Sequence, residues 1–266
     1  MIQQLFDEQD LPMEDLQKIG LVEKGRINLD GDDLKALLSG RRTNMLRLEN
    51  LSSENFHIPA IDAKLSLKPG PDGELKLMLH PIYRQARHPT YMTDAQAETL
   101  VKDRAVNLEK MIFDDEGKLT DVFVEFDKDT NEFIVTDCEK VLAPDKVNNE
   151  PLTPGQKERY RKGKEVELSD GTKFQHSATE PQGIRSNRLA LIASIIVDGG
   201  VSYILYKSLN ALFGQKQEKS PEVNNSKGFN TAKNEMEVQE QKRGLGIDQL
   251  PKGEYRHYYS RSGTSR

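Results

Sequence analysis

The chain has 266 residues, a formal charge of −5 and a mean hydropathy of −0.70; 30% of its residues are charged, 35% are hydrophobic and 6% are aromatic, with no Trp. So lean an apolar content cannot fill one evenly packed core of this length, so the apolar residues must be concentrated in parts of the chain. A single cysteine, Cys138, excludes an internal disulfide and any Cys-based zinc cluster, and the opening MIQQLFDEQDLP has neither the basic nor the apolar region expected of a secretion signal.

After Phe213 there are ten Lys and Arg against seven Asp and Glu, which leaves residues 1–188 at −8. An acidic body of this kind is not built to wrap duplex DNA, because neutralising phosphates requires a basic surface.

Leu11-Pro12-Met13-Glu14-Asp15-Leu16 predicts a helix start, with proline and acids in the first turn, and Gly20 predicts its end. Residues 21–29 read as a short strand, and residues 31–38 as a second helix stopped by Gly40. From Asn44 to Leu79 the period becomes two. Ile61, Ala63, Leu65 and Leu67 share one face, while Asp62, Lys64, Ser66 and Lys68 share the other. With the turn Pro69-Gly70-Pro71-Asp72-Gly73 and the return strand at 75–79, this predicts a small antiparallel sheet with one wet face.

Thr93 opens a further helix. Three strands follow, at 105–113, around 122–126 and at 132–135, with turns at Asp114-Asp115-Glu116-Gly117 and Lys128-Asp129-Thr130-Asn131, and these predict a meander. Residues 144–151 read as a linker, Thr153 as the start of another helix, and residues 164–174 as a hairpin turning at Asp170-Gly171. Thr93, Gln96, Glu98, Lys102, Val106 and Leu108 recur sixty residues later as Thr153, Gln156, Glu158, Lys162, Val166 and Leu168, which suggests duplication of a helix–strand unit.

The most apolar stretch is Leu189 to Phe213. From Leu189 to Tyr206 it holds one charge, Asp198. Eighteen helical residues span about 27 Å, close to the roughly 30 Å of a bilayer's hydrocarbon. Nine Leu, Ile and Val favour insertion by about 3 to 5 kcal/mol, against about 2.5 to 3.5 for a central Asp. The run is therefore expected to be an apolar helix, docking on a membrane or a partner through Leu189, Leu191, Ile192, Ile195, Ile196, Val197, Val201, Tyr203, Ile204, Leu205 and Tyr206. The alternatives are a helix buried in the protein's own core, or two short helices joined at Asp198-Gly199-Gly200. Residues 215–266 are polar and are expected to be disordered.

No catalytic constellation emerges. His57, His80, His88, His176 and His257 are scattered without metal spacing, and there is no Walker A, dinucleotide-binding or nucleophile-elbow sequence. Acids flank Cys138 and would blunt it as a nucleophile. No cofactor, metal or catalytic residue is assigned. Arg41 and Arg42, adjacent after a helix-ending glycine, are the best candidates for gripping a phosphate or carboxylate; Arg256 and Arg261, among tyrosines in the tail, are candidates for stacking on single-stranded nucleic acid or sitting at a lipid surface.

The segments LPMEDLQKIGLVEKGRINLDGDDLKALLSGRRT, IDAKLSL and LHPIY resemble an amino-terminal domain of unknown function from Bacteroides-type bacteria and their conjugative elements. FVEFDKDTNEF, LTPGQKERYRKGKEVELSDGTKFQHSAT and GIRSNR resemble a second such domain that follows it, so the resemblance spans residues 11–188. It implies a cytoplasmic bacterial protein of a mobile element, in a DNA-processing context, and supplies no catalytic residues.

The sequence thus predicts an α+β protein: a module at 1–90, a second at 91–180, an apolar helix at 185–214 and a disordered tail at 215–266. The function expected is that of a non-enzymatic interaction or adaptor protein tethered to a partner or to the cytoplasmic face of the inner membrane. The alternative is a soluble accessory nucleic-acid-binding protein acting with a topoisomerase or DNA-transfer machinery.

Overall fold

The computed structural model describes residues 5–53, 56–70, 73–103, 106–114, 117–197, 200–207 and 226–242. Their architecture is α+β, with short helices packed on small antiparallel sheets.

The first module opens with α1 (Met13–Lys18), then β1 (Val22–Glu23) and β2 (Arg26–Ile27). Where one strand was expected there is a minimal hairpin. Lys24 and Gly25 both take positive φ, at 51° and 75°, as a two-residue turn matched to strand twist demands. Helix α2 (Gly31–Leu38) starts on Asp30, whose side chain accepts from the Asp33 N–H at 2.7 Å. Strands β3 (Leu46–Ser53), β4 (Phe56–Pro69) and β5 (Leu75–Pro81) form one antiparallel sheet. Leu16, Leu37, Leu48, Ala63 and Leu65 are buried between this sheet and the two helices.

The second module contains α3 (Asp94–Lys102) and the meander β6 (Leu108–Phe113), β7 (Leu119–Asp127), β8 (Glu132–Asp137). Next come β9 (Lys146–Val147), β10 (Glu150–Pro151), α4 (Pro154–Arg161), β11 (Val166–Glu167), β12 (Lys173–His176) and β13 (Ile184–Ser186). Both α3 and α4 begin with a complete capping box, Thr93 with Gln96 and Thr153 with Gln156. After the caps the two units diverge: Val166 is buried at 1% exposure, whereas its counterpart Val106 is 40% exposed. Residues 144–151 are no linker. Asn148 and Asn149 turn the chain at positive φ, and Val147 is fully buried.

The largest departure concerns residues 189–213. The described part forms no apolar helix: Ala190–Val197 (β14) and Gly200–Lys207 (β15) pair as an antiparallel hairpin in register from Ala190↔Lys207 to Val197↔Gly200, and residues 208–213 lie outside the described residues. Three signals override the helical reading. Ile192, Ile195, Ile196, Val197, Val201 and Ile204 are β-branched and lose rotamer freedom in a helix. The register leaves two residues between the strands, and the sequence there, Asp198-Gly199, is a preferred two-residue hairpin dipeptide. Finally, β14 is covered on both faces from Leu191 to Ile195, which accounts for much of the unbroken apolar run.

Leu191 and Ala193 pack into the main core of the second module with Phe123, Val147, Tyr160 and Phe174. Ile192, on the other face, meets Phe229 and Ala232 of α5 (Lys227–Lys242). The outer edge of β14 is paired too: Ala193 faces Val147 of β9, the Asn148 side chain accepts from the Ile192 N–H at 3.0 Å, and Asp145 accepts from the Ile196 N–H at 2.7 Å. Among the described residues, no helix is long and apolar enough to cross a membrane.

Helix α5 also corrects the expectation of a wholly disordered tail. Phe229, Ala232 and half-buried Met236 recur at helical spacing, and the Ser226 hydroxyl accepts from the Phe229 N–H at 3.1 Å at the helix start. Gly228 lets the helix touch the chain beneath it, since a Cβ there would sit 2.3 Å from the Asn148 carbonyl oxygen. The rest of the tail lies outside the described residues.

Candidate functional site at the module junction

The two modules meet through a polar seam. The face of β4 that was expected to be wet is covered here: Lys64 is 3% exposed. Its Nζ donates to Asp127 Oδ1 and Oδ2 at 3.1 and 3.0 Å and to the Thr179 carbonyl at 3.2 Å, and lies 3.2 Å from Asp129. Beside it, Arg42 Nη1 donates to Glu132 Oε2 at 2.6 Å and to Thr130 Oγ1 at 3.1 Å. His80, paired with Lys64 across β4 and β5, shares a hydrogen bond with Ser66 at 2.8 Å and has Nδ1 3.5 Å from Glu132. Burial alone would raise the Glu132 pKa, but the hydrogen bonds from His80 and Arg42 outweigh it and pull the carboxyl down to about 2.

Deeper in the second module, Glu125 is buried. Its oxygens accept from the Ser177 hydroxyl at 2.8 Å and the Ala178 N–H at 2.6 Å, with Arg185 3.7 Å away. Burial raises the Glu125 pKa, and Arg185 opposes that rise. Buried charges partnered in this way fix the local geometry.

Arg41 is different. It leaves the end of α2 and crosses into the second module, where its Nε donates to the Pro181 carbonyl at 2.9 Å. Its stem lies on Gly183, where an added Cβ would come within 2.9 Å of Arg41 Cδ. The Tyr160 hydroxyl donates to the Gly183 carbonyl at 3.4 Å. The Tyr160 ring meets His176 edge-on at 5.6 Å, and Tyr206 of β15 packs against the same core. Burial pushes the His176 pKa down to about 3, with Arg41 adding to the effect, so the ring is neutral at pH 7. Burial likewise raises Tyr160 and Tyr206, which keep their protons. No other acceptor partners the Arg41 guanidinium among the described residues, and no carboxylate pairs with it.

The structure therefore separates the two sequence candidates. Arg42 is engaged within the chain by Glu132, whereas Arg41 is half-buried and anchored through its Nε to the Pro181 carbonyl. Arg256 and Arg261 lie outside the described residues. Of the apolar candidates, Leu191, Ile192 and Ile195 are buried, Ile204 and Tyr206 are half-buried, and Leu189 and Ile196 are 38% and 53% exposed. The side chains of Val197, Val201, Tyr203 and Leu205 lie outside the described residues.

Sequence reasoning missed Lys64, Glu125, Asp127, Tyr160 and His176. Lys64, Glu125 and Asp127 occupy polar positions in alternating strands, where exposure is the ordinary expectation; only the covering by a second module makes them central. Cys138 is held protonated, its pKa pushed up to about 11 chiefly by burial and then by Asp121. Among the described residues, no group of three His, Cys, Asp or Glu side chains is gathered to hold a metal.

No curated protein and no solved structure matches the chain. A family model described as "Protein of unknown function (DUF4099)" matches residues 6–89, the segment that carries Arg41, Arg42, Lys64 and His80.

Proposed function

We propose that the protein is a non-enzymatic interaction protein that holds an apolar, extended segment of a protein partner along β6. The observation that supports this reading is the uncovered outer half of the meander. Met111 and Phe113, two apart on β6, are 62% and 74% exposed, and Leu119, cross-strand from Phe113, is 48% exposed. They share a face with Phe123, which is buried further along the same strand pair. Strand β6 is an edge of its three-stranded sheet, with backbone groups available to an added strand. Beside Met111 runs a groove of about 390 Å³, lined by Glu109, Asp121, Cys138 and Lys162, which supplies both apolar floor and charged rim.

This replaces the docking role first expected of residues 189–213, whose hairpin is taken up in the second module's core. Nucleic-acid contact through Arg42 loses its basis as well, since that cation is already paired. The resemblance of residues 11–188 supports a cytoplasmic setting in a bacterial mobile element.

The test is capture of a partner from native cells by the full chain and by a Met111→Ser/Phe113→Ser variant with an unchanged thermal melt. A partner held by the parent and lost by the variant supports the reading. Equal capture by both, or capture by neither, contradicts it.

A further inference from the structure

We infer that the loop joining the modules, residues 82–91 between β5 and α3, binds single-stranded nucleic acid through Tyr83, Arg84, Arg87 and Tyr91. The sequence sets the charge. The nineteen residues from Leu75 to Thr93 contain no Asp or Glu, in a protein whose formal charge is −5. Within them Arg84 and Arg87 are exposed, and neither has an ion-pair or hydrogen-bond partner among the described residues. Exposed tyrosines flank these cations: Tyr83 is 45% exposed and Tyr91 36%.

The loop is held through its backbone and its inner side chains, which leaves the outer ones for a ligand. The Tyr83 N–H donates to the Thr130 carbonyl at 2.9 Å, and the Asn131 side chain donates to the Tyr83 carbonyl at 2.9 Å. Further along, the His88 ring meets Phe133 edge-on at 6.3 Å, and Met92 is buried with Leu100 of α3 and Val124 of β7. Both halves of the loop thus rest on residues 130–133, a stretch of about 10 Å in extended chain. The carboxylates on the segments it touches are already taken. Asp94 faces His88 Nε2 at 3.0 Å, Asp129 lies 3.2 Å from Lys64 and Glu132 accepts from Arg42 at 2.6 Å. The positive charge of Arg84 and Arg87 therefore calls for an anion from outside the chain. Tyrosine rings give unpaired bases a surface to stack on, and neighbouring arginines reach the phosphates. A loop ordered beforehand spends little of the binding energy on being fixed. A duplex keeps its base faces closed, and residues 1–188 as a whole are too acidic to follow its longer phosphate track. A bilayer fits less well, because Ile82 is the one Leu, Ile or Val in the loop.

The experiment measures binding of the full chain to a fluorescein-labelled oligothymidylate by anisotropy at rising sodium chloride, beside a DNA duplex of equal length. The single strand should bind more tightly than the duplex, with an affinity that falls as salt rises. Arg84→Ala/Arg87→Ala should lower the affinity at least tenfold and flatten the salt slope by about 1.4, the share of two single-strand phosphates at about 0.7 each. Tyr83→Ala and Tyr91→Ala should each weaken binding about fivefold or more, whereas Tyr83→Phe and Tyr91→Phe, which keep a ring to stack on, should bind like the parent. Arg26→Ala/Lys227→Ala removes two exposed cations elsewhere and should also bind like the parent. Should a tyrosine variant lose its thermal transition, the arginine pair carries the test. No binding of the single strand, equal binding of the duplex, loop variants that bind like the parent, or an equal loss in Arg26→Ala/Lys227→Ala overturns the assignment. So does sedimentation with phosphatidylserine vesicles in place of oligonucleotide binding, which would give the loop to a membrane surface.

Discussion

Replacing Lys64 by Met tests whether the polar seam couples the two modules. Lys64 is 3% exposed and its partner Asp127 is 1% exposed, so methionine keeps the volume and removes the charge. Breaking a buried ion pair from one side costs about 3–5 kcal/mol, because the remaining charge is left buried. Asp127 keeps two lesser partners, Arg42 at 3.6 Å and the Asp129 N–H at 3.0 Å, which brings the expectation to the low end, about 3 kcal/mol. Removing both charges in Lys64→Met/Asp127→Leu should recover much of that loss, with a coupling energy of about 2 kcal/mol in a double-mutant cycle. Equilibrium urea unfolding at pH 7 measures all four corners through the transition midpoint, provided the slope is unchanged. A loss below about 1 kcal/mol for the single change, or a double variant equal to the sum of the singles, refutes the reasoning that this pair is buried and mutually dependent.

Three further outcomes follow from local geometry. Gly228→Ala should free α5 from the hairpin, since the added methyl would meet the Asn148 carbonyl; limited proteolysis should cut within 227–242 faster than in the parent, and an unchanged cutting rate would count against the docked helix. The folded-state pKa of Glu132 is depressed to about 2 from the ordinary 4.5, so the stability it contributes is whole above pH 4.5 and is lost as pH falls from there toward 2. After allowance for solvent screening this is about 1–3 kcal/mol, and Glu132→Gln should show a correspondingly flatter loss between urea midpoints at pH 5 and pH 3. Thr153→Ala should cost about 1 kcal/mol through its capping box, and Thr93→Ala a similar amount; thermal melts in which neither moves the midpoint would contradict the caps.

The local structure was legible wherever a residue's own chemistry sets the conformation. Thr93 and Thr153 announce their helices because a short polar side chain satisfies the first free N–H groups. The meander was legible from alternation and turn residues. What stayed hidden depends on what covers a strand. Residues 190–197 look like a membrane segment by hydropathy because β14 is buried on both faces from Leu191 to Ile195, by the main core and by α5. The β-branched residues and Asp198-Gly199 were the available signals against a helix, and total hydropathy outweighed them. The same blindness applied to charge. Arg41 and Arg42 are neighbours of identical type, yet Arg42 finds Glu132 and Arg41 finds the Pro181 carbonyl, a difference set by residues at least ninety positions away.

Hydrogen–deuterium exchange along residues 190–197, in aqueous buffer and again with detergent micelles, tests most directly whether the apolar run belongs to the protein's own interior. The account predicts slow exchange at the Ile192 and Ile196 amides in buffer, where Asn148 and Asp145 accept from them, with no change on adding micelles. Fast exchange in buffer that becomes slow with micelles would show that the run needs an apolar phase from outside, and would contradict the hairpin core.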